Sequence, residues 1–202
     1  MTQTRRIGGK DNATRELILD ATERLLVEIG YGAISTRKIA KAIAVTPTLI
    51  HYYFPTTDDL LIELYRRSAR ENTQRIDEAL ASENPLSALW IWLEHAQRNA
   101  LATEFLALAN HRPALRQDIA TYVESSRKRL VECLNDRLQA DEPTPDHDGL
   151  TPLTLTMLVT AVSRLVVLEQ AIGLNYGHTE TLSFIEHLIA SVAHRAPEHG
   201  EG

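Results

Sequence analysis

Hydroxyl groups, phenols and an arginine are concentrated in residues 35–54, which read STRKIAKAIAVTPTLIHYYF. Hydroxyls and phenols commonly contact nucleic-acid phosphates, and an arginine can read guanine in the major groove. A helix N-terminus in this segment would add free N–H groups and a partial positive charge, which also suit phosphate. The segment therefore indicates a DNA-contacting surface. The alternative is a head without a ligand, in which the threonines cap helices and the aromatic rings pack in a core.

Two short helices are predicted to position these side chains. Ser35 or Thr36 can cap the first helix, which extends to about Ile43. Thr46 can cap the second, with Pro47 at its first helical position, where proline is tolerated. The apolar residues that would form their shared core are Ile39, Ala40, Ile43, Val45, Ile50 and Phe54. Two short helices around one small core form a helix-turn-helix, whose second helix reads DNA mainly through its N-terminal residues.

The remainder of the chain is also predicted to be helical. Apolar residues recur at helical spacing in the segments 13–29, 58–80, 86–110, 113–139, 153–174 and 179–195. Residues 140–152 are rich in proline and acids, which is typical of an exposed loop. We predict an all-α protein of about nine helices. Its predicted parts are a flexible basic arm (1–12), a three-helix head with the helix-turn-helix (13–57), a helical body (58–195) and a disordered tail (196–202).

The charge is distributed unevenly along the chain, although its net value is −6. Residues 1–57 hold 8 Lys/Arg and 5 Asp/Glu, which gives +3, and the remaining 13 Lys/Arg and 22 Asp/Glu give −9. A basic head on an acidic body suggests an anionic partner at the head.

The cysteine content and hydropathy suggest a compartment. The single cysteine, Cys133, leaves no internal disulfide possible, as is typical of a reducing cytosol. No opening apolar run resembles a signal peptide, and we find no stretch of about 18 apolar residues without charges. We therefore expect a cytoplasmic protein without a membrane span.

Catalytic and metal chemistry find little support in the sequence. The eight histidines are scattered, and the one pair near helical spacing, His187 and His194, has no cysteine or acids at ligand spacing. The chain has no glycine-rich phosphate loop, serine nucleophile elbow or Cys–His signature. We expect no enzyme activity, no cofactor and no metal.

Residues 14–65 resemble the TetR-type (tetracycline-repressor-like) transcriptional regulators. The resemblance is carried by ILDATERLLVEIGYGAISTRKIAKAIAV and by TPTLIHYYFPTTDDLL. These segments contain a first helix ending in Gly-aromatic, a "T…IA…V" second helix, a third helix ending in "Y-x-Y/H-F" and a fourth opening with acids and leucines. In the body, LEQAIGLNYGHTETL resembles a segment near the last turn of many members.

The resemblance implies a ligand-responsive regulator, most often a repressor, that binds a palindromic operator in double-stranded DNA as a homodimer. The residues that it implies on or beside the DNA-reading surface are Thr36, Arg37, Thr46, Pro47, Thr48, Leu49, His51, Tyr52 and Tyr53. Three positions depart from the family pattern: Ala44 replaces a glycine, His51 a tyrosine and Thr57 a lysine. Without that lysine the head loses a phosphate contact, for which the basic arm could compensate in part. A helical small-molecule binding protein that no longer reads DNA is the alternative function.

In this family the body senses a ligand and forms the dimer. The last two helices carry wide apolar stripes, which could pair with their symmetry mates or pack wholly within one chain. The predicted dimer-interface residues are Leu155, Val159, Val162, Val166, Leu182, Ile185, Ile189 and Val192. The ligand-pocket candidates are Trp90, Trp92, His95, Phe105, Asn110, Tyr122, Met157 and Glu169. We expect a small, largely apolar effector, as for ligand sites in general.

Overall fold

The computed structural model describes residues 8–82, 87–88, 90–91, 100–138 and 151–193. Within these ranges every regular element is a helix, which confirms the predicted all-α class. The elements are α1 (Gly8–Ile29), a 3₁₀ turn (Tyr31–Ala33), α2 (Thr36–Ala42), α3 (Pro47–Tyr53), α4 (Thr57–Leu80), α5 (Ala100–Ala109), α6 (Pro113–Leu138), α7 (Pro152–Ala171) and α8 (His178–Ala193). Residues 87, 88, 90 and 91 are helical as well.

Several predicted boundaries differ from the observed ones or lie outside the described residues. Helix α1 begins at Gly8, so residues 8–12 of the predicted arm are helical. The predicted tail, residues 196–202, and most of the predicted loop, residues 140–150, lie outside the described part of the chain. The chain divides into two compact units, residues 1–69 with 100–119 and residues 70–99 with 120–202. The first unit therefore holds the head, the start of α4, helix α5 and the start of α6.

The core of the first unit is built from apolar residues at helical spacing on α1 to α5. Its most deeply buried members include Ile18, Leu19, Leu26, Ile39, Ile50, Leu60, Leu61, Leu64, Leu101 and Phe105. The Phe105 ring packs edge-on against Tyr65, with ring centroids 5.1 Å apart. Full burial of one such side chain contributes about 1.5–3 kcal/mol. Burial of Ile39 and Ile50 is what joins the two short helices to the rest of the head.

The second unit has its own apolar core, in which α7 and α8 pack together. The cluster consists of Trp90, Leu134, Leu155, Val159, Ile185 and Ile189, with Val162, Leu182 and Leu188 packed against it. The turn between α7 and α8 needs glycine at Gly173 and Gly177, which have φ of 81° and 84°. His178 at the start of α8 then lies 2.7 Å from Glu169 of α7, measured from Nε2 to Oε2.

Helix α7 is the one described helix that is long and apolar enough to cross a membrane, by length and composition alone. The core helix of a soluble protein passes the same test. Helix α7 contributes Leu155 and Val159 to the core above, so its apolar character already has a packing role.

Candidate nucleic-acid interface

Hydroxyl caps determine where the two short helices of the head begin. The Ser35 Oγ accepts a hydrogen bond from the Lys38 amide at 3.3 Å, and the Thr46 Oγ1 accepts one from the Leu49 amide at 3.3 Å. Such a cap stabilises a helix by about 1 kcal/mol. Ser35 rather than Thr36 is therefore the cap of α2. Thr46 is the cap of α3, as predicted, and its own O–H proton remains available to a phosphate.

The joint between α2 and α3 contains a residue in the left-handed region, Ala44, with φ 55°. The Val45 amide donates to the Ala40 carbonyl at 2.9 Å and closes the turn. This conformation costs an alanine about 1–2 kcal/mol, whereas glycine adopts it freely. The alanine at this position therefore strains the joint without preventing the turn.

The predicted DNA-contacting residues lie at the surface of the head, while the apolar residues between them point inward. Ile50 and Phe54 are buried at 0% and 3% exposure. The residues predicted to contact DNA are all exposed or half-buried: Thr36, Arg37, Thr46, Pro47, Thr48, Leu49, His51, Tyr52 and Tyr53. The Tyr52 side chain is 73% exposed and meets the Tyr53 ring edge-on, with centroids 5.1 Å apart. The structure thus places these residues at the surface of the head, on α2, on α3 and at the cap of α3, and their role in binding remains a prediction.

Helix α2 supplies the positive charge at this surface. Its sequence, TRKIAKA, contains three cations and no acid. Arg37, Lys38 and Lys41 are all exposed, and no described residue forms a hydrogen bond or ion pair with the Arg37 side chain. Arg37 and Lys41 are four residues apart and share one side of the helix. Lys38 and Lys41 are candidate phosphate contacts that the sequence analysis missed, and an acid-free basic helix is the signal that identifies them.

Helix α3 is followed by a capped start of α4. The Thr56 Oγ1 accepts a hydrogen bond from the Asp59 amide at 3.1 Å, and the Asp59 Oδ2 accepts one from the Thr56 amide at 3.0 Å. This reciprocal pair is a capping box formed with aspartate. The Arg15 guanidinium of α1 lies 5.3 Å from the centre of the Phe54 ring and 3.1 Å from the Glu63 carboxylate on α4. The end of α3 is therefore held between α1 and α4.

A single arginine also links α4 to α1. The Arg67 guanidinium pairs with Glu16, Asp20 and Glu23, at 3.1, 2.6 and 2.7 Å. Burial lowers the pKa of Arg67, but the hydrogen bonds to the three carboxylates outweigh this effect and the net pKa is raised. These ion pairs tie the first half of α4 to α1 of the head.

The ligand-pocket candidates are distributed over both compact units. Phe105 and Asn110 belong to the first unit, where Phe105 is buried and Asn110 is exposed. The candidates of the second unit are Trp90, which is buried, Tyr122 and Glu169, which are half-buried, and Met157, which is exposed. Trp92 and His95 lie outside the described residues. The assignment of these residues to a pocket stays a prediction.

Two of these candidates have notable polar groups. The indole N–H of Trp90 is buried and has no hydrogen-bond partner in the described part of the chain. Burial raises the pKa of the Tyr122 phenol, and hydrogen bonds to Ser126 and Asn72 lower it by less. A buried donor without an acceptor is costly and is a feature that a bound molecule could satisfy.

Most predicted dimer-interface residues serve the core of a single chain. Leu155, Val159, Val166, Ile185 and Ile189 are buried, and Val162 and Leu182 pack against the same cluster. The Val192 side chain lies outside the described residues. A different set of apolar side chains is exposed on the opposite side of α7, which we call the outer α7 face: Leu153, Met157, Leu158, Leu165, Leu168 and Ile172. A second chain could reach the outer α7 face, whereas it could not reach the buried residues.

Comparison with known proteins agrees with this architecture. Residues 18–64 match the family model described as "Bacterial regulatory proteins, tetR family". A TetR transcription regulator from Haloarcula marismortui is similar in structure, with a TM-score of 0.69 at 20% identity over 93% of this chain and 100% of that one. A protein from Saccharomonospora viridis, assigned as a transcriptional regulator and solved in complex with choline, has a TM-score of 0.73 at 16% identity, over 89% and 96% of the two chains. At these identities the solved structures establish the fold. None of the curated proteins is similar enough in sequence to match the chain.

Proposed function

We infer that this chain is a transcriptional regulator of the TetR type, that it binds a palindromic DNA operator as a homodimer, and that a small molecule releases it from the operator. The match of residues 18–64 to the family model supports the first part of this inference. The observation that carries the proposal is the exposed, polar surface of α2 and α3 on a folded helix-turn-helix. Repression is the role that fits release by a ligand, because the unliganded protein then occupies its operator.

The short helix α3 is the reading helix in this proposal. Its N-terminal residues Thr46, Pro47 and Thr48 enter the major groove, where the first turn of such a helix contacts base edges. Arg37 of α2 is the residue best suited to bidentate hydrogen bonds with guanine, since its guanidinium is exposed. The phenols of Tyr52 and Tyr53 and the free N–H groups at the start of α3 contact phosphates.

The outer α7 face provides the dimer contact. Leu165 is 54% exposed and Ile172 is 80% exposed, and Phe184 of α8 is 63% exposed. Exposed apolar side chains that form a patch are typical of a protein interface. A two-fold axis would relate two reading helices, and in helix-turn-helix dimers such helices contact half-sites about one helical turn of DNA, roughly 34–36 Å, apart.

A small, largely apolar molecule is the proposed effector. The effector would favour a conformation of the dimer in which the two reading helices do not fit successive major grooves. The affinity for DNA would then fall, because fewer molecules hold the conformation that fits. The buried N–H of Trp90, which has no acceptor among the described residues, is a group to which an effector could bind. Choline, the ligand of the similar structure from Saccharomonospora viridis, is a hydrophilic cation, so tighter binding of choline than of apolar compounds would contradict the proposed effector class.

The proposal is tested by selecting duplexes from a random pool with the full-length chain and then measuring affinity by gel shift. We expect a palindromic sequence to be enriched. Arg37→Ala should weaken binding to it by about 1–3 kcal/mol and relax one position of specificity. Arg66→Ala is the matched control, because Arg66 is an exposed arginine on α4 that pairs with Asp118 and lies outside α2 and α3. Failure of the wild-type chain to enrich any duplex would contradict the proposal.

A helical small-molecule binding protein is the second candidate function. It is favoured by the start of α4, where Thr57 stands in place of the lysine expected from the family and is followed by Asp58 and Asp59. This function predicts that no duplex is enriched, while a small apolar compound raises the melting temperature.

A further inference from the structure

The corner between α5 and α6 contacts the chain on both sides of the helix-turn-helix through one arginine. The Arg112 guanidinium donates a hydrogen bond to the Tyr31 hydroxyl and lies 4.9 Å from the centre of the Tyr31 ring. It also forms an ion pair with Asp58, in the first turn of α4. Tyr31 belongs to the link between α1 and α2, and Asp58 lies four residues after Phe54, the cap of α3. Arg112 therefore contacts the chain both before and after the helix-turn-helix.

A second contact from α5 holds the same tyrosine by its backbone. The Glu104 carboxylate accepts a hydrogen bond from the Tyr31 amide at 3.1 Å. The preceding residue, Gly30, has φ 67°, and a Cβ built there would lie 3.7 Å from the Glu104 carboxylate. The link before α2 is thus held at its backbone by Glu104 and at its side chain by Arg112.

The corner that carries Arg112 is itself well ordered by hydrogen bonds. The Arg116 guanidinium donates to the Ala109 carbonyl at 3.0 Å and to the Asn110 carbonyl at 2.9 Å. The His111 amide donates to the Leu108 carbonyl at 3.0 Å. Arg112 consequently extends from a corner whose backbone carbonyls are held by Arg116 and whose turn is closed by a backbone hydrogen bond.

We propose that Arg112 is a positioning residue that sets the orientation of the reading helix α3 by holding Tyr31 and Asp58 at a fixed spacing. The proposal rests on the DNA-binding function inferred above and adds the contact through which the α5–α6 corner acts on the head. A planar guanidinium makes directional hydrogen bonds, so a small shift of the corner breaks the contacts with Tyr31 and Asp58 together. Helix α6 begins at Pro113, directly after Arg112, so a displacement of the first turn of α6 is transmitted to Arg112 by the chain itself.

A simpler role for Arg112 makes a different prediction. Asp58 is a half-exposed carboxylate beside Thr57, at the start of a helix expected near DNA, and Arg112 could merely neutralise it. Without Arg112, the Asp58 carboxylate would repel every duplex equally, because DNA phosphates repel a carboxylate irrespective of sequence. Loss of orientation would instead weaken binding to the selected duplex and leave binding to a scrambled duplex nearly unchanged.

The test uses the full-length chain, the duplex that it selects from a random pool, and a scrambled duplex of the same composition. We expect Arg112→Gln to weaken binding to the selected duplex by roughly tenfold, within the range of coupling between sites, and to change binding to the scrambled duplex by less than about twofold. Arg112→Lys should not restore affinity, because lysine keeps the charge beside Asp58 but lacks the planar fork. Arg129→Gln is the matched control: it removes a guanidinium from α6, where Arg129 pairs with Asp77, and it leaves the α5–α6 corner, Tyr31 and Asp58 unchanged.

Hydrogen exchange provides a readout that a purely stabilising role would not change. In the wild-type chain, binding of the selected duplex should slow exchange at the Asn110 and His111 amides as well as in α3. In Arg112→Gln at saturating duplex, we expect slowing in α3 alone. A double-mutant cycle of Tyr31→Phe with Arg112→Gln should be non-additive, since both changes remove the same hydrogen bond.

Three results would overturn the proposal. Equal weakening for both duplexes, restored by adding Asp58→Asn to Arg112→Gln, would reduce Arg112 to a neutralising charge. A lower melting temperature with unchanged affinity of the folded fraction would make it a stabilising residue only. Unchanged affinity for the selected duplex and unchanged hydrogen exchange in Arg112→Gln would show that Arg112 does not connect the α5–α6 corner to α3. Failure of the wild-type chain to select any duplex is seen before a variant is made, and it would overturn the proposed function and this inference together.

Discussion

At the scale of single residues, Ala44 shows how a local departure from a family pattern appears in the structure. The family pattern has glycine at this position, and the alanine adopts φ 55° at the joint between α2 and α3. The possibility of strain could be predicted from the sequence, because the joint of a helix-turn-helix needs a left-handed residue. The sequence did not show whether the backbone of the joint would change to relieve this strain. The joint keeps its conformation because backbone hydrogen bonds hold it, the shortest being the one from the Val45 amide to the Ala40 carbonyl.

Replacing this alanine by glycine should stabilise the head. Ala44→Gly removes about 1–2 kcal/mol of left-handed strain, and greater freedom of the unfolded chain offsets about 0.4–1 kcal/mol of this gain. We expect a net gain of roughly 0.5–1 kcal/mol in the free energy of unfolding, measured by urea denaturation. The control Ala120→Gly, at an exposed position inside α6, should cost about 1 kcal/mol. Equal losses for both variants would show that Ala44 is unstrained.

Tyr122 predicts a pH dependence of stability. Burial raises the pKa of its phenol above the usual value of 10.0. The folded state thus favours the neutral phenol, so this contribution is present below pH 10 and is lost as the pH rises through the raised pKa. We expect the free energy of unfolding of the wild-type chain to fall more steeply above pH 10 than that of Tyr122→Phe. Identical profiles would show that the phenol titrates alike in the folded and unfolded chains.

At the scale of elements, the sequence predicted where helices begin better than what they pack against. Thr46 and Pro47 start α3 as expected, because the cap and the proline act within one turn. On α7 the apolar residues cover both sides, and periodicity does not distinguish the side that faces the chain's own core. Val159, which is predicted at the dimer interface, is buried within the single chain, whereas Leu165 is exposed. Distant parts of the chain, such as Trp90, decide this difference.

Helix α7 therefore gives a prediction that separates its two sides. Leu165→Glu should leave the fold and melting temperature of the isolated chain nearly unchanged, because the side chain is exposed, and should convert a dimer into a monomer. Size exclusion with light scattering reports the mass, and we expect operator binding to be lost with the dimer. Ile189→Asp is the contrasting variant, since burial of an unpaired charge in the core should cost several kcal/mol and unfold the chain. A Leu165→Glu chain that remains dimeric would move the interface elsewhere.

At the scale of the whole molecule, the distribution of charge limits how strongly DNA can be held by electrostatics. The chain has a net charge of −6, and the exposed cations of α2 are Arg37, Lys38 and Lys41. Three cations can make only a few phosphate contacts, and the acidic remainder of the protein repels DNA. Both effects keep non-specific binding to DNA weak. Specific contacts from α3 then account for a larger share of the affinity.

The salt dependence of operator binding measures this limit. Three cations in each of two heads would neutralise about six phosphates, which gives a slope of log K against log salt of about −5. Lys41→Gln should reduce the magnitude of the slope by about 2 in the dimer, and affinity should fall similarly for all sequences. The control is Lys128→Gln, because Lys128 pairs with Glu124 on α6 and is remote in sequence from the head. A slope near −10 would reveal phosphate contacts from cations outside α2.

The position of Arg112 directly before Pro113 has a further consequence for how easily its contacts form. A residue that precedes proline is restricted to extended backbone conformations in the unfolded chain as well as in the folded one. The corner therefore loses less conformational entropy when it orders than a corner of freely rotating residues would. The backbone restriction before Pro113 therefore lowers the entropic cost of placing the Arg112 guanidinium against Tyr31 and Asp58.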